Sequence, residues 1–212
     1  MDKQTEWVMC PKCRNEYNKL WRDDMCYECW MKLQKWGEVK EAEPTFDNFI
    51  VDDSNKAVFE QTQRFLHKDN NQGLYLWGKS GRGKTHLCMA TIKAARLHGH
   101  CEFGNMPEVL LEIRASYNLQ SDFSELEIIE KYANCDYLFI DDIKDPKEHC
   151  TDILYKILNI REREQRGKVF ITSNHHIKEI SKVDDRISSR IVGLCGRDNI
   201  LELKGKDWRV KK

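Results

Sequence analysis

Residues Gly78–Thr85 read GKSGRGKT and fill every fixed position of a G-x-x-x-x-G-K-[ST] phosphate-binding loop. The chemistry explains the spacing. Gly78, Gly81 and Gly83 let the backbone turn tightly and approach an anion with no side chain in the way. Successive backbone N–H groups, those of Lys79, Ser80 and Arg82 included, then point inward. The start of the following helix adds partial positive charge. Lys84 has the reach for β- and γ-phosphates, and Thr85 offers a hydroxyl to Mg2+. His86 follows directly and is counted with the nucleotide contacts. The bland alternative is a glycine-rich turn before an ordinary helix. Context argues against it: Leu74-Tyr75-Leu76-Trp77 suits a buried strand, and His86–Ile92 continues as a helix.

A phosphate loop needs an acid to hold its metal. Tyr137-Leu138-Phe139-Ile140-Asp141-Asp142 is a buried-strand run ending in two carboxylates, a Walker B pattern. Asp141 is expected to hold Mg2+, directly or through water, and Asp142 to polarise the attacking water. The competing reading is an acidic turn that caps the next segment. Val169-Phe170-Ile171-Thr172-Ser173-Asn174 is the next such strand, and Asn174 at its end could bond a γ-phosphate or the lytic water. Asn also simply favours turns. Residues 184–191 read as a helix with Arg186 and Arg190 on one face, four apart. An arginine presented to a neighbouring subunit's nucleotide could act as a finger. The alternative is a solvated basic face paired with Asp184 and Asp185.

The elements that must carry these groups alternate. Helical spacing is expected over residues 53–67, with apolar Ala57, Val58, Phe65 and Leu66. A helix follows from Lys84 to about His98, closed by Gly99. A strand near Cys101–Gly104, a helix from Pro107 to about Tyr117, and a helix over 122–133 with Leu126, Ile128 and Ile129 on one side come next. Helix 151–166 shows Ile153, Ile157 and Ile160 in phase, and Ile200–Leu203 is a last strand. Strands alternating with helices predict an α/β parallel sheet, doubly wound.

The first forty residues differ. Cys10, Cys13, Cys26 and Cys29 form C-x2-C-x12-C-x2-C, a spacing suited to tetrahedral Zn2+, and four of the six tryptophans lie among them. The rival is two pairs of redox or unligated cysteines. The predicted division is a zinc-ribbon-like module over 1–40, a linker over 41–44 and an ATPase domain over 45–212. The other cysteines (88, 101, 135, 150 and 195) read as small buried hydrophobes. Lys plus Arg and Asp plus Glu are 35 each, so net charge selects no partner. No segment approaches the ~20 apolar residues of a membrane span, and the N-terminus has no apolar leader. A cytoplasmic protein is expected.

In this order the motifs resemble DnaC/IstB-type AAA+ ATPases, a group that includes bacterial and phage helicase loaders. The resemblance covers residues 44 to 210, from FDNF through GLYLWGKSGRGKTHL, LFIDDI, VFITSN and DRISSRI to GKDWR. It implies an AAA+ P-loop core, an αβα sandwich, assembling as an arc or ring with ATP and Mg2+. It implies that Asn174 is sensor 1, that Arg190 is a finger acting in trans, and that Arg209 resembles the sensor 2 arginine. It also implies that the FDNF region borders the adenine pocket. Its implied partners are a replicative DNA helicase, contacted by the N-terminal module, and single-stranded DNA. The second acid is Asp142 rather than the glutamate usual in the wider AAA+ class, so slow hydrolysis is expected. Two other roles stay open: an accessory to a transposase, and a zinc adaptor whose core is a nucleotide-dependent clamp.

Overall fold

The computed structural model describes residues 8–9, 16–17, 43–67, 72–117, 123–143 and 148–209. The chain divides into two units, Met1–Glu43 and Pro44–Lys212. In the first, β1 (Val8–Met9) pairs antiparallel with β2 (Glu16–Tyr17). The four cysteines of the expected zinc module, and the tryptophans among them, lie outside the described residues. Among the described residues no cluster of three His, Cys, Asp or Glu side chains could hold a metal.

The second unit is built on five strands: β3 (Leu74–Trp77), β4 (Cys101–Asn105), β5 (Tyr137–Ile143), β6 (Lys168–Ser173) and β7 (Ile200–Glu202). Their order is β4-β5-β6-β3-β7, and every pairing is parallel. Among the described residues seven α-helices accompany them: α1 (Lys56–Arg64), which precedes β3, then α2 (Lys84–Ala95), α3 (Met106–Ser116), α4 (Glu125–Asn134), α5 (Glu148–Glu164), α6 (Ile177–Val183) and α7 (Asp185–Cys195). Parallel neighbours require such crossovers.

Strand alternation feeds two cores. Tyr75, Leu138, Ile140, Val169 and Ile171 face one side with apolar residues of α3 to α7. Leu74, Leu76, Phe139 and Phe170 face the other, against Leu87, Cys88 and Ile92 of α2, Val58 of α1 and Phe65. The result is the expected three-layer αβα core. Helix starts are fixed locally: Asn105 caps α3, and Ser124 with Glu127 forms a capping box at α4. Cys88, Cys101, Cys135 and Cys195 are buried thiols, as composition suggested. The Cys150 side chain lies outside the described residues.

Some details differ from the sequence reading. Leu126 is 61% exposed, while Ile128, Ile129 and Tyr132 carry the buried face of α4. That helix starts at Glu125 because its cap is Ser124. Helix α7 runs on to Cys195, where Gly196 ends it. Phe65 and Leu66 lie past the end of α1 and Ala57 is exposed, so Val58 and Thr62 form its buried face.

The topology sets the site. From β3 the chain leaves through α2 on one face; from its neighbour β6 it leaves through α6 and α7 on the other. Ligands of open parallel sheets bind in the crevice that such divergence opens at the carboxyl ends of the strands.

Candidate functional site

The loop of residues 78–83 joins β3 to α2 at that crevice. Two glycines are sterically required. Gly78 has φ of 150°, and a Cβ there would lie 2.5 Å from the backbone oxygen of Leu203. Gly81 has φ of 76°, and its Cβ would overlap Asp207 Oδ1. The stretch after β7 therefore runs against the loop. Leu203 N donates to Trp77 O at 2.7 Å, and Trp208 N to Gly81 O at 3.0 Å.

Lys84 opens α2 and is 7% exposed. Its ammonium donates to Gly78 O at 2.7 Å, Lys79 O at 3.1 Å and Asn174 Oδ1 at 2.8 Å. Asn174 in turn donates through Nδ2 to Asp142 Oδ1 at 2.9 Å. Ser80 Oγ lies 3.4 Å from the same Asn174 oxygen. The amide thus stands between a cation and a carboxylate. Burial lowers the Lys84 pKa from the ordinary lysine value, and the nearby charges of Asp142 and Asp141 oppose that shift. Arg209 and Arg82 are close enough to lower it further, which brings Arg209 near the loop.

The second α2 residue, Thr85, donates to Asp141 Oδ2 at 3.0 Å. Asp141 is 9% exposed at the end of β5. A hydroxyl and a carboxylate so paired could hold a hard divalent cation through oxygen. Two carboxylates, one ammonium and a row of loop N–H groups are a donor set that fits a Mg-bound polyphosphate. His86 lies behind: its Nε2 is 2.9 Å from Thr45 O, and its ring meets Phe49 edge-on at 5.3 Å. Phe49 stacks on Phe59 at 5.5 Å. The FDNF segment therefore packs beside the residue that follows the loop.

The paired arginines of α7 have partners within the chain. Arg186 bonds Asp184 at 2.7 Å and Asp152 at 3.2 Å, and sits 4.9 Å over the Tyr155 ring. Arg190 bonds Glu162 and lies 5.8 Å over the same ring. Asp184 also caps α7, accepting from Arg186 N at 2.9 Å. The solvated-face reading anticipated such partners; Tyr155 and Glu162 come from α5, and nothing near 184–191 pointed to them. A groove of about 490 Å3, lined by Glu125, Asp152, Tyr155, Lys156 and Arg186, runs beside them.

The structure brings Lys84, Thr85, Asp141, Asp142 and Asn174, five of the residues singled out in the sequence, into one hydrogen-bonded network. Sequence reading missed Thr172, whose hydroxyl donates to Asp141 Oδ1 at 2.6 Å. A threonine in an apolar run looks like any β-branched strand residue.

Comparison with known proteins agrees with this geometry. The family model for the bacterial DnaA ATPase domain matches residues 41–195. The chromosomal replication initiator protein DnaA of Campylobacter jejuni is 30% identical over 152 residues, which are 69% of this chain and 34% of that protein. The chain spans about a third of the length of the curated relatives it matches. A replication initiator DnaA bound to AMPPCP and single-stranded DNA superposes with a TM-score of 0.66 at 20% identity, covering 80% of this chain and 52% of that one. The DnaC helicase loader superposes with a TM-score of 0.59 at 17% identity, covering 76% of this chain and 95% of that one. At those identities the structural matches establish the fold. With the match over residues 41–195, the chain belongs to the bacterial DnaA ATPase domain family.

Proposed function

We propose that the chain is an ATP-dependent loader of a replicative DNA helicase onto single-stranded DNA. The observation that carries the nucleotide part is the convergence of Lys84, Asn174, Asp142, Thr85 and Asp141 at the carboxyl edge of the sheet. In this reading the loop N–H groups and Lys84 hold the phosphates of ATP. Thr85 and Asp141 would hold Mg2+, which would supply charge neutralisation for the phosphates. Asp142 polarises water, and Asn174 orients it against the γ-phosphate. Arg209 and Arg82 add positive charge beside the loop. Arg190 serves the site of an adjacent copy in an arc or ring, and leaves Glu162 to do so.

The loader role is supported by the shared fold with the DnaC helicase loader, which this chain covers almost end to end. The single-stranded DNA role is supported by the fold shared with the initiator bound to AMPPCP and single-stranded DNA. In the same proposal the N-terminal module captures the helicase and is stapled by one Zn2+ on Cys10, Cys13, Cys26 and Cys29. The spacing of the four cysteines supports this. No helix among the described residues is long and apolar enough to cross a membrane.

The test is a pull-down of a hexameric replicative helicase with the tagged full chain, with and without ATP, repeated with Cys26→Ser. ATP-dependent capture by the unmodified chain, lost in Cys26→Ser while ATP binding persists, is expected. Capture of a transposase in place of the helicase overturns the loader reading. Elemental analysis showing no zinc overturns the metal.

A further inference from the structure

Neighbouring residues of a regular strand point to opposite faces. An undistorted β5 could not turn both Asp141 and Asp142 toward one site. Yet Thr85 reaches Asp141 and Asn174 reaches Asp142, within a single network around Lys84.

The register of β5 on β6 explains how. Ile140 faces Ile171, and the next matched pair is Ile143 with Ser173. Asp141 and Asp142 together therefore oppose Thr172. Two residues against one make a bulge, a device that re-aims side chains. Asp142 takes a φ of 55°, a left-handed conformation that a non-glycine residue keeps only when its surroundings hold it.

Thr172 supplies that hold. Its side chain is fully buried. The Asp142 N–H donates to the Thr172 hydroxyl oxygen at 2.9 Å, and the hydroxyl proton goes to Asp141 Oδ1 at 2.6 Å. One hydroxyl thus accepts from the backbone of one acid and donates to the side chain of the other, using its lone pair and its single proton together. Thr85 grips the second oxygen of Asp141, so that carboxylate is fixed from both sides. Ser173 Oγ donates to Ile143 O at 2.6 Å and closes the far side of the bulge. As a strand residue, valine would fill the place of Thr172 equally well. The hydroxyl is what a plain strand does not need.

We infer that Thr172 is a positioning residue for the nucleotide site: its hydroxyl holds the β5 bulge that turns Asp141 toward the metal and Asp142 toward the water. The inference rests on the proposed roles of those two acids. Partners that orient metal-holding carboxylates typically matter by about 10- to 100-fold in metal affinity or activity.

The experiment compares the full chain with Thr172→Val and Thr172→Ser. It measures ATP binding in EDTA, the Mg2+ concentration giving half-maximal hydrolysis, kcat, and the thermal midpoint. For Thr172→Val, metal-free ATP binding is expected to stay near that of the unmodified chain. Its Mg2+ requirement should rise, and its kcat fall, by about 10- to 100-fold. Thr172→Ser, which keeps the hydroxyl, should recover most of both. An unchanged Mg2+ requirement and kcat in Thr172→Val overturns the inference. So does a lowered thermal midpoint alone, which would make the hydroxyl merely structural. If Thr172→Val does not purify folded, Thr172→Ala takes its place against Thr172→Ser with the same expectations. Asp142→Asn, run in parallel, separates the two layers: normal hydrolysis there removes the role of Asp142 itself, whatever Thr172 does.

Discussion

Replacing Asn174 by alanine removes one amide that touches two opposite charges. Its oxygen accepts from Lys84 at 2.8 Å, and its nitrogen donates to Asp142 at 2.9 Å. Hydrogen bonds to charged groups contribute about 1.5–3 kcal/mol each. Asn174 is half-buried, so water enters the gap and the net loss of folding stability should be about 1–2 kcal/mol. Catalysis should suffer more. Losing one fixed polar group at a reacting centre costs about 100- to 1,000-fold in kcat, or about 2.7–4 kcal/mol. MgATP affinity should change little, because Lys84 and the loop N–H groups remain. Asn174→Asp should do worse than Asn174→Ala. It sets a carboxylate against the Asp142 carboxylate where an N–H now donates, and like charges at that range disfavour ionisation of one of them. The assays are phosphate release, equilibrium binding of a fluorescent ATP analogue, and thermal denaturation. Turnover by Asn174→Ala within about twofold of the unmodified chain would refute the reasoning, given the loss expected for such a group.

Other expectations are equally direct. Gly78→Ala and Gly81→Ala both force alanine into positive φ, at a cost of about 1–3 kcal/mol. Gly78→Ala should lower the thermal midpoint more, because its Cβ meets a backbone carbonyl, whereas at Gly81 it meets the end of the Asp207 side chain; Asp207→Ala should rescue only Gly81→Ala. Arg190→Ala should bind ATP normally yet hydrolyse it about 1,000-fold more slowly. Mixing it with Asp142→Asn should restore some turnover, and no rescue would point to a role within one chain. Alkaline pH should weaken ATP binding starting below the ordinary lysine pKa, since burial lowers that of Lys84 and the charged form is the one that attracts phosphate. The same shift acts oppositely on folding. The unfolded chain holds this proton more tightly, so the stability cost of Lys84 is present at neutral pH and is relieved as pH rises through the lowered value. An affinity flat to about pH 10 would contradict the burial of that ammonium.

Much of the core was legible because its signals are local. The run Leu74–Trp77 followed by GKSGRGKT needs only its own residue types to make a strand, an anion loop and a helix start. Buried parallel strands read as continuous apolar runs, which found β5 and β6. The missing parts depend on pairing. The bulge at Asp141 and Asp142 exists only against β6, so nothing in the residue types of the run announces it. Leu126 fits an apolar helix face by spacing, but the cap at Ser124 and the packing of Ile128 and Tyr132 turn it outward. Glu162 and Tyr155 reach the α7 arginines from a different helix, and no sequence spacing joins them. The contacts of Leu203 and Asp207 with the phosphate loop arise across the sheet in the same way.

The central claim is that this chain binds MgATP through Lys84. It is tested most directly by equilibrium binding of MgATP to the unmodified chain and to Lys84→Ala, with circular dichroism to confirm that both are folded. The unmodified chain should show saturable binding that weakens when Mg2+ is removed, and Lys84→Ala should lose that binding. Equal affinity in the two folded proteins would contradict the account.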